Sequence, residues 1–579
     1  MTASRRIGLL VSAFCLVVAE GPRVHAAVEK HVLLISIDGM HALDFANCST
    51  GIATVNAGAP YCPALAQLAQ TGVTYVEAST TRPSDSFPGL IAQVTGGTTR
   101  SAGVFYDVSY DRALSPPTQT TPYGIPGGAD LCPGTKGTQV GYDESADMDL
   151  TKLDGGGGIN PNFLPRDPNH GCAPVYPHSF LRVNTIFEVV KTAGGYTAWS
   201  DKHPVYEIVN GPSGAGLNDF YGPEINSIPV ALPQVTGCSP LPDQSATTSS
   251  DDYTTSFQNI RCYDSLKVQA VVNQINGRTH DGSTAAPVPN VFGMNFQAVS
   301  VGQKLVEHAD ATPTVGGYTD ALGTPSASLL EEIQFVDTSV GQMVAALRAQ
   351  GLLDSTIIII SAKHGQSPID PNRVLRIPAD VAADMPPSAI LSPSGVGPGQ
   401  AVAQADEDDV SLLWLTDQSQ TASAAATLAA NEVEAGIGEI YAGNSLELLF
   451  NDPKTDSRSP DIAVAPNVGV VYTGGKKKVA EHGGLAHDDA NVMLLVSNPS
   501  YPKTTETHPV RTVQIAPTVL ELLGLDPNSL QAVQMEHTQP LPGPFAPAGG
   551  CCGDCNADGM VQVNELVTAV DNALIGCSR

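Results

Sequence analysis

His31 to Gly39 reads HVLLISIDG. A short β-rich apolar run closed by the turn pair Asp38-Gly39 is the pattern of a strand buried on both faces of a parallel sheet. The pattern returns at Thr356 to Ser361 (TIIIIS), which leads into Lys363-His364-Gly365. Further strand-like runs lie at Tyr196 to Ser200, Asn290 to Val299, Asp461 to Val471 and Asn491 to Val496. Helical patterns separate them: Pro63 to Gln70, Leu90 to Val94, and Asn184 to Thr192 with Asn184 as its cap. Ser326 to Gln350 is the longest, with Leu329, Ile333, Val336, Val340, Val344 and Leu347 along one face. Alternation of this kind predicts an α/β fold, a mostly parallel sheet sandwiched by helices.

The 579 residues exceed what one small core needs, so additions to a large domain are expected. Arg5, Arg6 and the apolar run Ile7 to Ala19 read as a signal peptide cut after Ala26, which implies a secreted or periplasmic protein. No later stretch is long and apolar enough for a membrane span. The main domain is assigned to residues 27–536, with loop-rich insertions at about 110–180 and 203–290. A Pro/Gly-rich linker (537–550) then leads to a small module (551–579). Cys48/Cys62, Cys132/Cys172 and Cys238/Cys262 are local disulfide candidates, other connectivities remaining open. The net charge of −29 argues against nucleic-acid duplexes, which require clustered Lys and Arg.

Ligands of open α/β sheets collect at the carboxyl ends of strands. Asp38, Lys363-His364 and, later, His482 in Glu481-His482-Gly483-Gly484 carry groups suited to a divalent metal. Singly, each is more often a turn residue than a ligand. Arg82 to Gly89 (RPSDSFPG) precedes a helix and places Ser86 where a hydroxyl can act as a nucleophile or simply cap the helix.

The order of these motifs resembles the alkaline-phosphatase superfamily, type I phosphodiesterase/nucleotide pyrophosphatase branch. That resemblance implies hydrolysis of phosphodiester or pyrophosphate bonds in a small substrate. It also implies a two-metal, usually zinc, site and a phosphoryl intermediate on Ser86. By the same likeness Asp38 and His364 hold one metal and His482 belongs to the other. The likeness has departures. Lys363 stands where the family has an Asp, Val299 and Gln303 where it has an Asp and a His, and Asp107 where it has a phosphate-binding Asn. A protonated lysine repels a metal but can itself stabilise a phosphoryl oxygen. Lys363 is therefore expected to act in catalysis, in place of lost metal charge, and to pair with Asp107. Asp201-Lys202-His203 resembles the substrate-holding segment of phosphonoacetate hydrolases; a surface charge pair is the plainer alternative. Asp107 and Lys202 are thus the substrate-binding candidates. Phosphonate hydrolysis, or a non-catalytic binding protein with a degenerate metal site, are the competing functions.

Asp554, Asn556, Asp558, Met560 through its carbonyl, and Glu565 fit a calcium-binding loop of the EF-hand kind, with Gly559 at the sharp turn. The module resembles one dockerin repeat. Dockerins usually carry two, so a calcium-stabilised tail stapled by Cys551, Cys552, Cys555 and Cys577 is favoured over a cohesin-binding one.

Overall fold

The computed structural model describes residues 31–232, 235, 238–239, 252–307 and 312–544. The segment read as a signal peptide, the last six residues of the linker (545–550), and the loop read as calcium-binding with its cysteines lie outside the described residues.

The sheet is built from β1 (His31–Ile37), β2 (Gly72–Tyr75), β3 (Ala198–Ser200), β4 (Asp219–Tyr221), β5 (Val291–Phe296), β6 (Thr356–Ser361), β7 (Leu495–Ser497) and β8 (Thr504–Glu506). Its order is β8-β2-β7-β6-β1-β5-β3-β4. β1, β5, β6, β3 and β4 run parallel, and β7 is antiparallel to both its neighbours. Side chains alternate across a strand. Leu33, Ile35 and Ile37 of β1 accordingly enter one apolar cluster, Val32 and Leu34 the other.

Helices cover both faces: α1 (Ser86–Thr95), α2 (Ile186–Thr192), α3 (Phe257–Ile275), α4 (Ala298–Lys304), α5 (Ala327–Ala349) and α6 (Ile515–Leu522). α3 and α5 pack with Leu33 and Ile35, and α1, α2 and α6 with Val32 and Leu34. A four-stranded antiparallel sheet lies beside this layer, made of Val402–Glu407, Ser411–Leu415, Ile462–Pro466 and Ile437–Ala442.

Several sequence expectations are corrected. α1 begins at Ser86, four residues before Leu90, because Asp85 caps it by accepting from the Phe87 N–H at 3.0 Å. α2 is capped by Thr185, not Asn184, in a reciprocal pair with Glu188. The apolar run Asn290 to Val299 leaves the sheet at Phe296 and turns into α4, whose Val299 and Val301 are buried as well. The region 203–290 is not only loops. α3 crosses it, and its apolar face is interrupted by a fully buried Asp264–Lys267 pair at 3.0 Å, which hides the helical period.

The three local cysteine pairs form disulfides. The chain stays packed through Leu541, and the Tyr75 hydroxyl donates to Pro542 O. Among the described residues no helix is long and apolar enough to cross a membrane.

Candidate active site

The parallel register brings four strand ends together. Ser36 pairs with Ser361, Ile37 with Phe296, and Met294 with Ser200. The residues that follow are Asp38, Gln297, Lys363 and Asp201, all buried. Gly39, at φ +82°, makes the turn after β1, and its N–H donates to His364 O at 3.0 Å.

α1 supplies the fifth part. Its Gly89 lies against the Lys363 backbone, where a Cβ would fall 2.1 Å from Lys363 O. Gln93 donates to Ala362 O and Thr80 to Lys363 O. Glycine at position 89 therefore lets the first turn of the helix press Ser86 onto the strand ends. The loop carrying His482 is tied to the same segment by Gly483 N–H to Ser84 O and Ser84 N–H to Gly484 O.

Asp38, Ser86, His364 and His482 thus converge. Ser86 Oγ lies 3.3 Å from Asp38 Oδ2 and 3.2 Å from His364 Nε2, and it accepts from Lys202 Nζ at 2.9 Å. The rings of His364 and His482 are 4.2 Å apart. His364 Nδ1 is 2.8 Å from Gly365 O, which can only accept, so Nδ1 carries the proton and Nε2 faces Ser86 with its lone pair. Burial keeps the His364 imidazole below its usual pKa, against the pull of Asp38. Burial raises the Asp38 carboxyl, but Lys363, His364 and Lys202 outweigh it and hold the group well below the usual range. Asn295 and Gln297 donate to its two oxygens at 2.8 and 2.6 Å.

Lys363 is fully buried. Its expected partner Asp107 is not the one it takes. Nζ lies 2.7 Å from Asp201 Oδ1, 3.9 Å from Asp38 Oδ2 and 4.2 Å from the centre of the Tyr206 ring. β3 and β6 flank β1 and β5 in one sheet, so the Asp201 carboxylate meets the ammonium as soon as the strands end. Asp107 is half-buried instead and accepts from the Val108 N–H; burial raises its carboxyl, and Lys202 opposes this. Lys202, half-buried, is no surface charge but the direct neighbour of Ser86.

Asp85 is a site residue that the sequence reading passed over. Its Oδ1 faces His482 Nδ1 at 3.7 Å, and neither buried atom has a hydrogen-bond partner. The signal was available: Asp directly before the first helical residue is an N-cap. Asp201, Asn295 and Gln297, each at or just past a strand end, were also missed as neighbours of the site.

A cation fits part of this arrangement. Asp38 Oδ2, Ser86 Oγ and His364 Nε2 are separated by 3.2, 3.3 and 3.5 Å. Ligands around zinc at 2.0–2.1 Å lie about 3.3 Å apart, so one ion suits these three atoms. The paired-metal site does not fit. Lys363 brings a positive charge to the strand end, and Gln303, whose Nε2 donates to Gly39 O at 2.8 Å and to Asp44 and Tyr318, offers a metal no more than a neutral amide oxygen. Val299 is buried in the core. Elsewhere, Glu144, His203 and Glu224 place ligand atoms within 4.8 Å of one another, a group with the geometry to hold a metal.

Residues 32–123 and 300–488 match the family described as Type I phosphodiesterase / nucleotide pyrophosphatase. No curated protein sequence matches the chain. The fold is similar to that of murine ectonucleotide pyrophosphatase / phosphodiesterase 5, with TM-score 0.51 and 13% identity over 89% of this chain and 98% of that one. The same figures hold for an inactive variant of the murine protein in complex with AMP. A mutant of the alkaline phosphatase PafA gives TM-score 0.52 and 13% identity over 86% of this chain and 96% of that one. At this identity the likeness is one of fold: a mixed, mostly parallel eight-stranded sheet like that of alkaline phosphatase.

Proposed function

This chain belongs to the type I phosphodiesterase / nucleotide pyrophosphatase family of phosphate-ester hydrolases, and from that premise we propose that it cleaves phosphodiester or pyrophosphate bonds with Ser86 as nucleophile. The contact that carries the reading is Ser86 Oγ held between Asp38, His364 and Lys202 at 3.3, 3.2 and 2.9 Å. The hydroxyl proton points to the Asp38 carboxylate or the His364 lone pair. Oγ bonds to phosphorus as the P–O bond to the leaving group breaks. The alcohol or phosphate leaves with a proton, and water then cleaves the Oγ–P bond, releasing the other half of the substrate as its phosphate monoester and restoring Ser86.

One divalent metal on Asp38 and His364 would polarise a phosphoryl oxygen and acidify the hydroxyl. Lys202 donates to Oγ and covers the charge that develops on the phosphoryl group. Lys363 stands in for a metal-binding carboxylate; by neutralising Asp38 from behind it sets the charge of the site without reaching Oγ. His482 stands against His364 with an unpartnered Nδ1, and Asp107 is near enough for its charge to act with Lys202 and Asp85. Export fits the reading, because three disulfides call for an oxidising compartment.

Hydrolysis of bis-p-nitrophenyl phosphate tests the proposal. Ser86→Ala is expected to lower kcat by about 10³-fold or more, as loss of a covalent nucleophile does. Trapping with bis-p-nitrophenyl phosphate should leave a p-nitrophenyl phosphoryl group on Ser86. A Ser86→Ala protein that turns over at the wild-type rate overturns it.

A further inference from the structure

Glu144 belongs to the first insertion, Glu224 to the second, and His203 directly follows Lys202. The three meet at ligand distance. His203 Nδ1 lies 2.8 and 2.9 Å from the two Glu224 oxygens, and Glu224 Oε1 also accepts from the Asn226 N–H at 2.8 Å. A fourth side chain makes the group more than an acidic cluster. Asp147 is fully buried and lies against Glu224, yet neither of its carboxylate oxygens has a hydrogen-bond partner. Two carboxyls in contact away from water, with one imidazole to share, need either a proton or a cation between them, and the imidazole and Glu144 at ligand distance favour the cation.

We propose that Glu144, His203 and Glu224, with Asp147 beside them, bind a first-row divalent cation of the zinc or manganese kind. One imidazole among carboxylates suits these ions better than calcium, which takes oxygen ligands alone. The cation is separate from the Asp38–Ser86–His364 position. It joins both insertions to the turn after β3 and so fixes the segment that aims Lys202 at Ser86; Ile225 N–H already donates to Lys202 O there at 3.0 Å. The cation site stands whatever Ser86 does. Only its effect on turnover rests on the function proposed above.

The full chain, stripped with chelator and reloaded with Zn²⁺, tests this by metal analysis of the wild type, Glu224→Gln and Asp38→Asn. Glu224→Gln should hold one zinc fewer than the wild type, while Asp38→Asn keeps that ion. X-ray absorption on zinc-loaded Asp38→Asn should give nitrogen and oxygen ligands at about 2.0–2.1 Å. Zinc should also raise the melting temperature of Asp38→Asn by about 2 °C or more and leave that of the double variant Asp38→Asn/Glu224→Gln unmoved. If Glu224→Gln does not fold, Asp147→Asn decides: zinc affinity at least tenfold weaker supports the site, and unchanged affinity overturns it. Wild-type zinc content in a folded Glu224→Gln, or sulfur ligands at about 2.3 Å throughout, overturns it too, the latter by placing the metal on cysteines. Lost turnover in Ser86→Ala that still holds the ion missing from Glu224→Gln keeps the two proposals apart.

Discussion

Lys363 and Lys202 bring the same charge to the same pocket, but different parts of the chain deliver them. Lys363 follows β6, next to the central strand, and is fixed on all sides: its carbonyl by Thr80, its ammonium by Asp201, Asp38 and the Tyr206 ring. Lys202 follows the short β3 and stays half-buried, and its ammonium reaches Ser86 Oγ. The first lysine is part of the scaffold that keeps Asp38 ionised. The second is the one that touches Ser86. The lysine after β6 is thus part of a buried ion-pair network, while the contact to Ser86 Oγ comes from the turn after β3.

Removing Lys363 should separate these roles most sharply. Lys363→Met leaves two carboxylates buried without their cation, a loss of about 3–5 kcal/mol by the general cost of breaking a buried pair. Urea denaturation measures it, and activity should fall with it because Asp38 is no longer held ionised. A Lys363→Met protein as stable as the wild type would break the comparison. Lys202→Gln should do the opposite. Its stability should stay within about 1 kcal/mol, while kcat drops about 100-fold, as when one donor to the developing charge is removed. Equal losses of stability in the two variants would mean that both lysines are scaffold.

The contrast also accounts for what could be read in the sequence. Thr356–Ser361 is legible to the residue because a strand buried on both faces is apolar throughout, and the site residues at its end come with it. The motifs around Asp38, Ser86 and His364 share that clarity, since each sits at the end of a core strand or the start of α1. Lys202 was readable as a substrate-binding candidate only through a resemblance, because a charge after a short strand is otherwise more often a surface pair. Nothing local tells that Gly89 would bring Ser86 within its reach. The end of β5 was blurred because the helix that follows is equally apolar. α3 was hidden by Asp264 and Lys267, polar residues that are buried only because each neutralises the other. Glu144, His203 and Glu224 are each ordinary in sequence. Their meeting depends on two insertions folding back on the turn after β3, a tertiary fact without a local period.

A third ion pair, outside the pocket, sharpens the comparison at the smallest scale. Arg182 binds Asp456 through both nitrogens at 2.6 Å, with its side chain 33% exposed. Burial raises the Asp456 carboxyl, but Arg182 and Asn451 outweigh it and bring it down to about 2. A depressed carboxyl stabilises the fold above its unfolded pKa, and the gain is lost as pH falls through the folded value. Here the window runs from about pH 4 down to about pH 2. Solvent screening of the exposed guanidinium limits the pair to about 1 kcal/mol. In urea denaturation, Arg182→Met should therefore be less stable than the wild type by about that amount at pH 6, with the gap closing as pH approaches 2. A gap that persists at low pH would mean that Arg182 acts by packing rather than charge. The buried Lys363 pair predicts the contrast: its two carboxylates sit deep in the fold, and its loss should remain several times larger than that of the exposed pair at neutral pH.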